Sequence, residues 1–434
     1  MSDDSENDPF RAPGSHDDQV NVEGSPSDDT QRPPGRVWLI CSLLLLASAI
    51  NYLDRQTLAS ASKRIVGELS LSMEQYGDIE MVFGYGFVVG SIIFGLIVDR
   101  FSVRWVYPFV LAAWSLVTVV TGFAESHSDF LVLRFLLGVF EAGHWPCGIR
   151  VVRALTDSRG RTMGNGLLQS GTSIGAIASP LIMLALLTDE VGSWRPAFQI
   201  VGAVGAVWVM AWLWIVRADD LTSETTHINS SSESWKILIQ RRMLVVFAVV
   251  ALINTAWQLF RAWLVLFLQD GRGYTEQQTL IFNAGWFAAT DVGCLSVGAV
   301  VLWLTRRGMP VHRARLLMFA GCSLMCLTLV ALPWLPRGWL LLAVLLISGA
   351  GALGVFPLYH AYTQEISGRH QGKITGFAGV AAWFLVPPAQ KFFGRLVDTS
   401  GSYDHGLMAA AALPAGATIL LWLFWGDEES NDAT

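Results

Sequence analysis

Residues 37–59 read VWLICSLLLLASAINYLDRQTLA. From Val37 to Ile50 the run is apolar but for two serines, and it carries no charge. About 20 largely apolar residues are what a helix needs to cross the hydrocarbon of a bilayer. Asp54 and Arg55 then stand side by side where such a helix is still in the membrane. A charge at that depth costs about 2.5–3.5 kcal/mol on insertion scales, so it faces a cavity or a partner helix rather than lipid. Consecutive helical residues lie about 100° apart around the axis, so Asp54 and Arg55 face different surroundings and do not simply neutralise each other.

The rest of the chain follows the same pattern. Of 434 residues, 53% are hydrophobic and only 15% charged, against about a quarter charged in a soluble domain, and the mean hydropathy is +0.45. This composition predicts an all-α polytopic membrane protein. Twelve spans are predicted near 37–59, 77–98, 104–123, 128–150, 162–187, 195–217, 243–269, 277–304, 314–333, 338–362, 372–394 and 405–425. The polar stretch 218–242 reads as a linker between two six-helix bundles, 36–217 and 243–426. Residues 1–35, with DDSEND, SHDDQ and SPSDD, form an acidic Ser/Pro-rich tail expected to be disordered, and 427–434 a short C-terminal tail. No apolar core follows Met1, so no cleaved signal peptide is expected. Five cysteines, mostly inside apolar runs, suggest no disulfide framework. The 18 tryptophans suit interfacial belts and cavity walls.

Basic residues set the orientation. Arg100, Arg104, Arg150, Arg153, Lys236, Arg306 and Arg307 fall on the side of the linker, whereas the opposite loops hold few, among them Lys63, Arg64, Arg272 and Arg337. Both termini are therefore expected in the cytoplasm. The halves echo one another weakly, INYLDRQ in span one against INTAWQLFR in span seven, matching either Asn51 with Asn254 or Arg55 with Arg261. Such a repeat suits a transporter rocking around a central site.

Gly95-Leu-Ile-Val-Asp99-Arg100-Phe-Ser-Val-Arg104, after span two, resembles the major facilitator loop signature G-x-x-x-D-R-x-G-x-R, with Ser102 in place of the second glycine. Its counterpart after span eight keeps Arg306-Arg307-Gly308 but has Leu302 where the family commonly has Asp, so a second-half charge lock is expected to be weak or absent. NYLDRQ, RFLLGVFEAGHWP and TQEISGRHQGKITG resemble the anion:cation symporter branch, in particular its hexuronate, galactonate and glucarate permeases. The resemblance spans Arg36 to Trp425 and implies the major facilitator fold: 12 transmembrane helices in two halves.

The candidate charges within predicted spans are Asp54, Arg55, Arg134, Glu141, Arg261 and Asp291. Arg134 and Glu141, seven apart, share a face of span four about 10 Å apart along the axis. They are expected to meet groups on other helices, Arg134 pairing with Asp54 or Glu141. The resemblance implies that acids at the positions of Asp54 and Glu141 serve proton coupling, with Arg134 setting the charge around them. A guanidinium presents a planar fork that fits a carboxylate, which makes Arg55 the first candidate for a substrate anion and Arg261 the second. Tyr52, Gln169, Asn254, Trp257 and Gln258 are candidates to complete a sugar-acid site, with Ser173 on the face of Gln169. The alternative for all of these is a static set of ion pairs and helix contacts. Asp291, beside Gly293, reads as a structural contact, and His144 as a hydrogen-bonded packing residue rather than a proton relay or, with Cys147, a metal site. Asp99, Arg100 and Arg104 are assigned to a cytoplasmic gate.

These residues suggest a secondary transporter importing a small organic anion, a sugar acid such as a hexuronate or aldonate, by proton symport. Alternatives are facilitated diffusion or efflux of another organic acid or amphipathic compound, and a transporter-shaped receptor. The expected setting is the plasma (inner) membrane, with protons, the anion and lipid as partners and a monomer as the working unit. No G-x-x-x-x-G-K-[ST] loop and no nucleophile–base set is present, so neither ATP hydrolysis nor enzymatic catalysis is expected, and no cofactor. The basic loops follow from orientation, leaving no reason to expect nucleic acid as a partner.

Overall fold

The computed structural model describes residues 34–156, 160–221, 239–366 and 371–425. The acidic tail up to residue 33, most of the linker, the centre of TQEISGRHQGKITG and the C-terminal tail lie outside the described residues. Everything described is helix or short connection. The first half comprises α1 (Pro34–Glu68), α2 (Met73–Arg100), α3 (Val103–Thr121), α4 (His127–Glu141), α5 (His144–Leu155), α6 (Gly160–Leu186) and α7 (Trp194–Ile215). The second comprises α8 (Arg241–Leu266), α9 (Glu276–Arg306), α10 (Val311–Leu327), α11 (Trp339–Gly354), α12 (Phe356–Ile366), α13 (Gln371–Phe384), α14 (Val386–Ser400) and α15 (Asp404–Phe424).

Eleven helical stretches are long and apolar enough to cross a membrane, and α13 with α14 supplies the twelfth crossing. Three spans that hydropathy predicts as continuous are broken: α4 from α5, α11 from α12 and α13 from α14. Each break lies just before a proline near the start of the next helix: Pro146, Pro357 and the Pro387–Pro388 pair. Proline cannot donate to the preceding turn and its ring crowds the carbonyl there. The first helix is longer than predicted, because ASASKRIVGE carries no proline and only one late glycine; Lys63 and Arg64 therefore lie in its last turns, not in a loop.

Capping boxes start α2 (Ser72 with Gln75), α4 (Ser126 with Asp129) and α9 (Thr275 with Gln278), all at one end of the bundle. This capped end lies opposite the linker end. Within the first half α1 packs on α6, α2 on α4 and α3 on α7; within the second, α8 packs on α13 and α15, and α9 on α11. The α2–α4 seam is backbone against backbone. A Cβ at Gly86 or Gly90 would strike the Phe135 or Val139 carbonyl, and one at Gly138 would strike that of Phe83. Gly138→Leu is expected to lower stability by about 1–3 kcal/mol by overpacking; an unchanged thermal midpoint of the detergent-solubilised protein would contradict this close docking.

The halves are tied at the capped end. Lys63 pairs with Asp270 at 2.7 Å, Arg64 with Glu276, and Lys391 with Asp78 at 3.0 Å. Asp398 accepts from the Met73 and Glu74 amides at the α2 N-terminus, where an anion is favoured. Glycines let the two halves touch: a Cβ at Gly394 would meet the Met73 carbonyl, and one at Gly77 would meet that of Gln390. The outer surface is apolar, as lipid requires, with Leu295, Val292 and Leu324 well exposed. Tryptophans divide by place: Trp38, Trp105, Trp214, Trp339 and Trp422 are exposed near helix ends, whereas Trp114, Trp263 and Trp286 are buried.

Candidate functional site

Helix α1 runs through the interior, and Ser48, Asn51, Asp54, Arg55, Gln56 and Thr57 are all buried on it. Its two charges face different neighbours, as their angular separation requires. Arg55 turns to α4 and bonds Glu141 Oε2 through both Nη2 (2.7 Å) and Nε (3.1 Å). It also reaches Asn51 Oδ1 at 3.4 Å. Four rings surround the guanidinium: Tyr52 and Phe83 with centroids at 5.2 Å, Phe87 at 5.4 Å and Trp383 at 5.8 Å. Trp383 comes from the second half and stacks on Phe87 at 4.7 Å. A cation held among ring faces keeps electrostatic stabilisation in a dry setting. Glu141 Oε1 and Asn51 Nδ2 are buried without a hydrogen-bond partner.

Asp54 faces α3. It is fully buried, and neither carboxylate oxygen has a hydrogen-bond partner. Its polar neighbours are Trp114 and Thr118, but Trp114 Nε1 is itself unpartnered and the Thr118 hydroxyl donates to the Trp114 carbonyl. Among the described residues no cation pairs with it.

Arg134 corrects the expected pairing. It meets neither Asp54 nor Glu141 in a hydrogen bond; its Nη2 donates to Glu80 Oε1 at 3.1 Å. The other oxygen of Glu80 accepts from Arg261 Nη2 at 2.6 Å, and Arg261 Nε donates to Gln258 at 2.7 Å. Arg261 is thus held by a protein carboxylate. The Phe83 ring lies between the two clusters, with the Arg134 guanidinium carbon 5.1 Å from its centroid.

The remaining candidates scatter. Asn254 donates to the Ala382 carbonyl, and Trp257 stacks on Trp286 at 5.4 Å, so both serve helix packing in this arrangement. The Gln258 carbonyl accepts from Gln390, whose side-chain oxygen takes the Trp263 indole proton. Gln169 is exposed and donates to Thr172 at 3.3 Å. Ser173 bonds Asp291 at 2.8 Å, joining α6 to α9 across the halves, which places Asp291 at a helix contact. His144 sits between Ser48 (2.9 Å) and Tyr107 (3.0 Å) as a packing residue.

The observation that decides identity is the match of residues 44–389 to the Major Facilitator Superfamily family model. The chain belongs to the major facilitator superfamily. It is a multi-pass membrane transporter and not an enzyme. It is similar to the Escherichia coli K12 protein named "Probable L-galactonate transporter", 26% identical over 90% of this chain and 89% of that one. The Hexuronate transporter of the same organism is 26% identical over 85% and 89%. Among solved structures, a bacterial homologue of the human lysosomal transporter Spinster, inward-facing and unoccupied, superposes with a TM-score of 0.74 over 90% of this chain and 97% of that one, at 16% identity.

Within this facilitator fold the loop-signature residues lie at the linker end. Asp99 and Arg100 are exposed at the close of α2. Arg104 donates to the Val216 carbonyl at 3.2 Å, inside its own half. Sequence reasoning passed over Glu80, Phe83, Phe87, Trp383 and Gln390, and named Asn51 only as the repeat counterpart of Asn254, not as a site residue. Glu80 carried the usable signal, a carboxylate inside a span, but it stands close to where the hydropathy of GDIEMVFG begins and reads as interfacial.

Proposed function

We propose that this facilitator imports a sugar acid anion, a hexuronate or aldonate, with protons, and that Arg55 is its carboxylate-binding group. The observation that carries this reading is the buried Arg55–Glu141 pair within its ring of aromatics, next to an unpartnered Asp54. A substrate carboxylate has the same fork-matching geometry as Glu141 and competes with it for Arg55. Glu141, once displaced in a dry interior, is costly as an anion and takes a proton instead. Anion binding and proton uptake are thereby linked at one helix pair, and Asp54 offers a second proton position. Tyr52, Phe87 and Trp383 cover the apolar face of a sugar. Gln169, Asn254, Trp257 and Gln258 serve hydroxyls once the halves rearrange, and Arg261 adds a second cationic contact. The names of the relatives support the substrate class.

In this reading the linker end and both termini are cytoplasmic, the plasma membrane is the setting and one chain suffices. Asp99, Arg100 and Arg104 close the cytoplasmic face. The test is uptake of labelled galacturonate and galactonate into proteoliposomes holding the purified protein. An inward proton gradient should raise the internal concentration above the external one. Equilibration alone, indifferent to the gradient, would instead establish facilitated diffusion; uptake of neither acid would remove the substrate class.

A further inference from the structure

We propose that Glu80 is a further positioning residue of the transport cycle, the buried latch that holds the two halves together at the capped end. Glu80 lies seven residues into α2, about 10 Å below that end. Arg134, which it holds at one oxygen, is at the same depth on α4 in its own half; Arg261, at the other, belongs to α8 of the opposite half. All three side chains are about 1% exposed. The cross-half pairs nearer the surface are more open to solvent, Lys63–Asp270 at 47% and 33% and Arg64–Glu276 at 24% and 26%, and solvent-exposed pairs contribute little. Beside the latch, the Tyr76 hydroxyl donates to the Ala262 carbonyl at 3.1 Å, and the Tyr76 ring meets Trp263 edge-on at 5.1 Å, so the tie sits in a dry cross-half seam.

One carboxylate between two arginines is also an unequal arrangement. Arg134 Nε and Nη1 and Arg261 Nη1 are buried without partners. Glu80 is therefore the group that keeps two guanidinium charges from repelling across the seam. Opening the capped end, which alternating access demands, separates α8 from α2 and must break the Arg261–Glu80 bond while the Arg134–Glu80 bond stays within its half. The buried cross-half bond, not the surface pairs, governs how far the equilibrium favours closure.

The test is a spin-label distance between Ser70→Cys and Thr399→Cys, exposed positions on opposite halves at the capped end, in protein whose five native cysteines are replaced. Glu80→Gln leaves the two arginines facing each other, and Arg261→Gln removes the cross-half bond, together with the bond to Gln258 inside α8, while leaving Glu80–Arg134 in place. Both are expected to shift the open-to-closed ratio toward longer distances by about tenfold. Lys63→Gln, which breaks an exposed tie, should keep the starting distribution. Unchanged distances in Arg261→Gln, whose Glu80–Arg134 pair is intact within its half, overturn the proposal whether or not Glu80→Gln folds; so does an equal shift in Lys63→Gln.

Discussion

Arg55→Gln is expected to abolish measurable binding of galactonate or galacturonate while the protein still folds. Arg55 holds its carboxylate through two nitrogens at 2.7 and 3.1 Å and is 3% exposed. Truncating one partner of a buried, hydrogen-bonded charge pair costs about 2–5 kcal/mol, which is about 30- to 5000-fold in affinity. Arg55→Lys should recover only part of this. It restores the charge but not the planar fork, and its more strongly hydrated ammonium sits less well among four rings. Equilibrium binding by thermal shift or calorimetry measures the effect; affinity within threefold of the starting protein in Arg55→Gln would remove Arg55 from the substrate site. Size-exclusion behaviour separates this from misfolding, because in that variant Glu141 loses the one hydrogen-bond partner it has among the described residues.

The second large effect is on coupling rather than binding. Asp54→Asn keeps the shape of the side chain and removes its ability to gain or lose a proton. Among the described residues no cation is bonded to Asp54, so the change orphans no opposite charge. Accumulation against a gradient should therefore fall to simple equilibration, while exchange of labelled for unlabelled substrate across the membrane continues. Folding stability should be maintained or improved, since an unpartnered buried carboxylate is replaced by a neutral amide. Retained uphill accumulation in Asp54→Asn would assign the driving proton elsewhere, with Glu141 next in line.

The fold was legible in the sequence because lipid imposes long uninterrupted apolar helices, and NYLDR together with the loop signature narrowed the family. The breaks in three spans were not read, although Pro146, Pro357 and Pro387 were there to signal them, because hydropathy averages over a window and ignores a missing donor. At the site, Asp54 and Arg55 were separable by helical geometry alone. The spacing of Arg134 and Glu141 argued against a direct bond between them, and there is none, but the expected pairing of Arg134 with Asp54 or Glu141 missed its actual partner, Glu80. Which helix supplies each partner was beyond reach: Glu141 lies 86 residues from Arg55 and Glu80 is 181 from Arg261. Nothing in local pattern encodes such pairings, which follow from how α2, α4 and α8 pack. The aromatic ring around Arg55 was hidden for the same reason, since Phe83, Phe87 and Trp383 look like ordinary apolar core until their helices converge.

Proton movement that depends on the substrate is the central claim, and a pH-sensitive dye inside proteoliposomes reads it directly. Adding galactonate outside, with no gradient imposed, should acidify the lumen of vesicles carrying the unaltered protein and leave those carrying Asp54→Asn or Arg55→Gln unchanged. Entry of labelled galactonate into the unaltered vesicles with no acidification would contradict it.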